Sequence, residues 1–287
     1  MSVRMTSSGA RPIPRRLAGV VAELELLAPE TVTREDIAAA IEAADPPGHA
    51  DAAMVDVVID GLRRAGWLLS LRTRGVWEFA PGSRSGAFRS GDPFTELRAA
   101  LAVRPGLGAA VAMESAAFLR QLAEHPPAPD VVAVPSGTRQ VGALRAYRLV
   151  RIELSDTAIT DLETLPVHTT AALVATMAII PRGYGDWPNV TTWLGQAVAR
   201  ICATDPASGD GGLTGDCGLL GLLESAPATA WARAAYLLDL GGQPEASHRV
   251  LATAPGPVRG PVYLGPRDRP GRYHRATGVY DSLVVAA

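Results

Sequence analysis

Residues 51–80 read DAAMVDVVIDGLRRAGWLLSLRTRGVWEFA, and two periodicities meet inside them. Asp51 offers a capping carboxylate, after which Met54, Val55, Val58, Ile59 and Leu62 recur at the three-and-four spacing of one helix face. Arg63-Arg64 close that helix, and Gly66 suits the C′ position beyond it. From Trp67 the pattern becomes strand, polar tip and strand: 67–71, then Arg72-Thr73-Arg74-Gly75, then 76–80.

Upstream, Leu17, Val20, Val21, Leu24 and Leu27 mark one face of a first helix within 13–27. Thr33 precedes Arg34-Glu35-Asp36 and Ile37, an N-cap with acids in the first turn. This second helix runs to about Ala44, where Pro46-Pro47-Gly48 stops it. Three short helices followed by a hairpin specify a winged helix-turn-helix over residues 12–81, and binding to DNA is the expected activity.

Downstream, 81–92 has linker composition and sets the expected division at a DNA-binding domain of 1–90 and a second domain of 91–287. In the second domain the patterns predict helices near 94–103, 109–123, 170–178, 190–203, 219–224, 229–240 and 244–252. Strands are expected near 131–134, 147–154, 262–264 and 279–285, with a glycine-rich loop at 208–215. The expected class is therefore α+β, an N-terminal winged helix-turn-helix followed by a larger mixed domain.

Charge is distributed unevenly rather than in excess. The formal net charge is −2, so contact with nucleic acid must come from a local patch. Residues 62–90 carry +5, whereas 23–60 carry −9. All 27 basic residues are Arg, a codon bias with no functional content. Cys202 and Cys217 lack the spacing of zinc or redox motifs, and the five scattered His form no ligand pair, so no metal, cofactor or disulfide is expected. The first 16 residues contain arginines but no apolar stretch of a secretory signal. The uncharged run 164–181 holds two prolines and reads as a buried strand and helix, so a cytoplasmic protein outside the membrane is expected.

The candidate DNA-binding residues are Arg15, Arg16, Thr33, Arg34, Arg63, Arg64, Arg72, Thr73 and Arg74, with Arg11 extending the N-terminal arm. Helix termini and a wing hold phosphates while the third helix reads base edges in the major groove. Plain alternatives stand beside each. Arg63 and Arg64 also complement the C-terminal dipole of their helix, Arg72 and Arg74 also suit a solvated turn, Thr33 is also a cap, and the arm also suits a tail. Asp56 and Asp60 occupy the third helix where phosphates would repel them. The glycine-rich run 209–221 lacks a GKS or GKT ending. Ser115 lacks the glycine-flanked elbow of a hydrolase, so no catalytic constellation is read and no enzymatic activity is expected, although Ser115 and Asp239 leave that class open.

Three segments resemble the AbiEi abortive-infection antitoxin family, especially its actinobacterial members with an N-terminal winged helix. They are Leu62-Arg63-Arg64-Ala65-Gly66-Trp67-Leu68 running into Gly75-Val76-Trp77-Glu78-Phe79, then Met113-Glu114-Ser115-Ala116-Ala117-Phe118-Leu119, and Trp231-Ala232-Arg233-Ala234-Ala235-Tyr236-Leu237-Leu238-Asp239 with Gly241-Gly242. The resemblance implies an autorepressing antitoxin encoded beside a nucleotidyltransferase-like toxin. Its N-terminal domain would bind promoter DNA and its C-terminal domain would carry antitoxicity, with Arg233 and Tyr236 candidates for function there. Asp56 and Asp60 depart from the family pattern, as does the absence of an acid before Thr170. The rival expectation is a protein-interaction module whose winged helix no longer binds DNA.

Overall fold

A computed structural model describes residues 13, 15–44, 51–83, 90–139, 142–153, 155–203, 212–215, 218–256, 258 and 260–283. The fold is α+β, and the chain divides into one unit of residues 1–107 with 139–145 and another of 108–138 with 146–287.

In the first unit a 3-10 turn (Arg15–Leu17) leads into α1 (Ala18–Leu27), β1 (Thr31–Thr33), α2 (Arg34–Ala44) and α3 (Ala52–Arg64). The wing follows as β2 (Leu68–Ser70) and β3 (Val76–Phe79), and α4 (Thr95–Val103) completes the set. This is a winged helix-turn-helix. Its antiparallel sheet has the order β1-β3-β2, with Val32 opposite Trp77 and Leu69 opposite Glu78. The sequence pattern missed β1 because three residues are too few to show an alternation.

Local chemistry sets the ends of these elements. Asp51 caps α3 by accepting from the Met54 amide at 2.7 Å. At the other end Gly66 takes φ +78°, its N–H donates to the Arg63 carbonyl at 3.0 Å, and the Trp67 N–H reaches the Leu62 carbonyl at 2.9 Å. That pair of bonds is a Schellman motif, and it turns the chain directly into the wing. The core beneath gathers Leu17, Val21 and Leu24 of the first segment, Val32 of β1, Ile37 of α2, Leu62 of α3, and Trp67 and Phe79 of the wing, all buried.

The first unit extends past the expected limit at residue 90. α4 packs on β1 and β3, and polar bonds tie it down. Glu96 accepts the Arg72 amide with both carboxylate oxygens at 3.1 Å, and Arg98 pairs with Glu30 at 2.6 Å and Asp92 at 3.5 Å. Of the expected linker, 84–89 lie outside the described residues.

In the second unit the order is β4 (Ala110–Val111), α5 (Met113–Leu119), β5 (Val131–Val134), β6 (Arg148–Arg151), β7 (Ile159–Leu162), β8 (Leu165–His168), α6 (Thr170–Ile179), α7 (Trp187–Ala203), α8 (Leu219–Leu223), α9 (Ala228–Leu240), α10 (Pro244–Thr253), β9 (Val262–Leu264), β10 (Arg272–His274) and β11 (Val279–Asp281). Five strands form a mixed sheet in the order β6-β5-β4-β8-β7, and three form another in the order β10-β11-β9. The Ala-rich segment expected to be one helix over 109–123 is instead β4 followed by the shorter α5. Val111 pairs with Val132 and Val167, so tertiary pairing overrides the helical preference of alanine. The buried strand and helix read within 164–181 are β8 and α6, whereas β7, its pairing with β8 in a hairpin, and β10 were not anticipated. The hairpin turns on Glu163 and Thr164, both at positive φ without a glycine to announce them. The strand expected at 147–154 is confined to 148–151, and the end of 279–285 beyond Leu283 falls outside the described residues, as do 208–211 of the glycine-rich loop.

α6 is the centre of this unit. Residues 170–178 are all buried, as an all-round apolar helix requires. Thr169 caps it by accepting from the Ala172 amide at 3.1 Å, and α5, α7, α8 and α9 pack around it. Among the described residues no helix is long and apolar enough to cross a membrane.

Two stability outcomes follow from this packing. Leu62 is fully buried, so Leu62→Ala should remove about 3 kcal/mol from the first unit, read as a lower urea midpoint. His168, 2% exposed, is the second. Burial and the nearby Arg120 guanidinium push its pKa down from 6.5 to about 4. The unfolded imidazole binds a proton below pH 6.5 while the folded one stays neutral to about pH 4, so stability falls as pH drops through that window. Between pH 7.5 and 5, urea unfolding of the native chain should lose about 2 kcal/mol more than that of His168→Gln.

Candidate nucleic-acid interface

An ion pair that sequence spacing did not suggest joins α2 to α3 at the surface of the helix-turn-helix. Arg34, at the start of α2, pairs through Nη1 with the Asp56 carboxylate on α3 and donates through Nη2 to the Ala52 carbonyl at 2.8 Å. The bond raises the pKa of Arg34, and the same guanidinium holds the Asp56 carboxyl below its usual value. Arg34, a candidate phosphate ligand, is thus bonded to α3 through Asp56 and the Ala52 carbonyl. Asp56, read as an unfavourable charge on a DNA-facing helix, is neutralised by it.

Thr33 is likewise engaged. Its Oγ1 accepts from the Asp36 amide at 3.2 Å and donates to Asp36 Oδ2 at 2.8 Å, while the Thr33 amide donates to the same carboxylate at 2.8 Å. This is a reciprocal capping box with Asp in the acidic position. Of the two readings of Thr33, the cap is the one with bonds behind it.

Arg15, Arg16, Arg63, Arg64, Arg72 and Arg74 are all exposed. The 3-10 turn carrying Arg15 and Arg16 packs on α3: Leu17 lies over Gly61, where an added Cβ would come within 3.0 Å of the leucine Cδ1. A glycine at 61 therefore lets the turn approach the end of α3 that bears Arg63 and Arg64. Arg63 pairs loosely with Asp60 at 3.6 Å, and Arg64 donates its Nε–H to the Asp60 carbonyl at 3.2 Å. Arg11 lies outside the described residues, so the arm is represented by Arg15 and Arg16.

At the wing tip Arg72 and Arg74 project outward. Gly75, at φ +81° with open space around it, completes the turn. Between them Thr73 is half-buried, with Oγ1 enclosed and bonded to no described residue. Glu96 of α4 holds the Arg72 amide and so fixes where the tip begins. Glu78, the one acid of the +5 segment, turns inward at 1% exposure, where it accepts from the Ser90 amide. The outward face of α3 is less suited to base reading. It presents Met54 at 45% and Val57 at 56% exposure, alongside Asp56 and Asp60.

Residues singled out in the second unit have structural partners. Ser115 is 1% exposed, donates to Asp130 at 3.0 Å and accepts the Val131 amide at 2.9 Å. Glu114, also buried, accepts from Arg148 at 2.6 Å and from the Gly185 amide at 2.9 Å, beside a cavity of about 560 Å³ reached by His125 and Asp186. Tyr236 donates to Asp281 at 2.7 Å, and burial raises its pKa. Asp239 pairs with His274 at 3.1 Å. Among the described residues no cluster of three His, Cys, Asp or Glu could hold a metal ion.

No family model matches the chain, and no curated protein matches it. Among solved structures the chain is similar to the RV2827C protein of Mycobacterium tuberculosis, at 28% identity and a TM-score of 0.72. The likeness covers 97% of this chain and 96% of that one, so it runs through both units.

Proposed function

We propose that this protein is a DNA-binding transcriptional regulator that occupies its own promoter and serves as the antitoxin to a nucleotidyltransferase-like toxin. The observation that carries the DNA-binding part is the set of six exposed arginines on the turn before α1, the end of α3 and the wing tip. A guanidinium presents several N–H donors to phosphate oxygens and stays charged at any physiological pH, so these sites suit contact with a duplex backbone. The antitoxin part rests on the three segments that resemble the AbiEi family. In this reading the protein works in the cytoplasm by binding, without catalysis. Specificity then comes largely from backbone positioning and DNA shape, because α3 offers carboxylates and aliphatic groups rather than bidentate base ligands.

The exposed Met54 and Val57 favour a second reading, in which α3 docks on another protein and the winged helix leaves DNA alone. Co-purification with the toxin encoded next door, together with no mobility shift on promoter DNA at low salt, would establish it.

Mobility shifts over a salt series discriminate the two. Replacing both Arg72 and Arg74 by Ala should lower the slope of log affinity against log salt by about 2, one released counterion for each arginine; an unchanged slope removes the wing from the interface. Thr33→Ala should cost about 1 kcal/mol of stability through the lost cap, read as a lower unfolding midpoint. It should leave the salt slope where it was, since the hydroxyl serves Asp36; a change in slope would make Thr33 a DNA ligand.

A further inference from the structure

Three arginines from distant parts of the sequence converge on one concavity in the second unit. The turn after α6, the first turns of α9, and β9 with the loop beyond it enclose about 370 Å³, lined among others by Ile180, Arg182, Thr229, Arg233, Tyr263 and Arg267. No acidic residue is among the lining groups. Among the described residues the acceptors that hold Arg233 are neutral. Its Nε–H donates to the Tyr263 carbonyl at 2.9 Å and Nη1 to the Ala178 carbonyl at 3.0 Å. Burial lowers its pKa, with no carboxylate acting in the opposite direction. Arg267 lies over the Tyr263 ring, 5.0 Å from its centroid, which fixes the guanidinium at the pocket mouth, and Arg182 is exposed at the rim.

One of these arginines is partly desolvated, and among the described residues none of the three pairs with an acid. An anion would offer them an acceptor of opposite charge, and Thr229 adds a hydroxyl in the first turn of α9, where the helix dipole is positive. Planar guanidinium groups match the oxygens of a phosphate, and the volume lies in the range of small-molecule sites. The ring of Tyr263 with Ile179, Ile180 and Val262 supplies an apolar wall beside the cations.

We propose that this pocket is a binding site for a small phosphate-bearing molecule, with Arg182, Arg233 and Arg267 as its anion ligands. The assignment does not depend on the wing or on DNA. Calorimetric titration of the full chain at fixed ionic strength, with AMP, inorganic phosphate, adenosine and citrate as probes, tests it. AMP or inorganic phosphate should bind, and adenosine and citrate should bind far more weakly. AMP binding more tightly than phosphate makes a nucleotide-like molecule the source of the anion, and equal affinity makes it free phosphate. Arg182→Ala and Arg267→Ala each replace an exposed side chain and should keep the fold. Each should weaken binding about tenfold, the loss of one charge-assisted contact. Arg233→Lys, which keeps the charge but loses the fork, should weaken it as well while circular dichroism stays native. No heat with AMP or phosphate at millimolar concentration overturns the proposal. So does citrate binding as tightly as phosphate, or affinity that survives both alanine substitutions.

Discussion

The three residues of β1 constrain the whole first unit. Thr31, Val32 and Thr33 pair with Glu78, Trp77 and Val76 of the wing strand, and the last of them is also the cap of α2. The same threonine therefore ends a strand and starts a helix, which leaves the direction of α2 little freedom relative to the wing. Val32 is fully buried between them.

A second layer of constraint is electrostatic. The acidic residues 23–60 would place α3 at a disadvantage beside a polyanion; of them Asp56 is bound to Arg34, and in the basic segment that follows, the one acid, Glu78, faces inward. The arginines left outside lie at the ends of elements, on the turn before α1, the end of α3 and the wing tip. Charges at such positions orient a duplex through its backbone and say little about sequence. Under the function proposed above, such a surface would respond to DNA shape rather than to base sequence.

In the second unit the polar side chains act mainly as internal braces. Arg233 ties the end of α6 to β9 through two carbonyls, Tyr236 and Asp281 tie α9 to β11, and Arg148 with Glu114 ties β6 to α5. Each brace links elements far apart in sequence. Among the described residues, the bracing around Arg233 leaves positive charge without an acidic partner facing a cavity, whereas Ser115 is bonded to Asp130 and Glu114 to Arg148, which is why that place has the chemistry of a ligand site.

The winged helix was legible because its signals are local. The three-and-four spacing of α3, the Asp51 cap, Gly66 at positive φ and the Arg72-Thr73-Arg74-Gly75 tip each act within a few residues. The exposed arginines of the candidate interface were legible for the same reason. What tertiary structure decided was pairing. Ala110 and Val111 became a strand because Val132 and Val167 were there to bond with, and α4 joined the first unit through Glu96 and Arg98. Arg34 found its role in Asp56, 22 residues away. No spacing rule connects positions 182, 233 and 267, since a pocket built from a turn, a helix and a strand exists only once the chain has closed. Short-range propensities are thus written in the sequence of this protein, while the partners of its charges are set by which elements come to lie side by side.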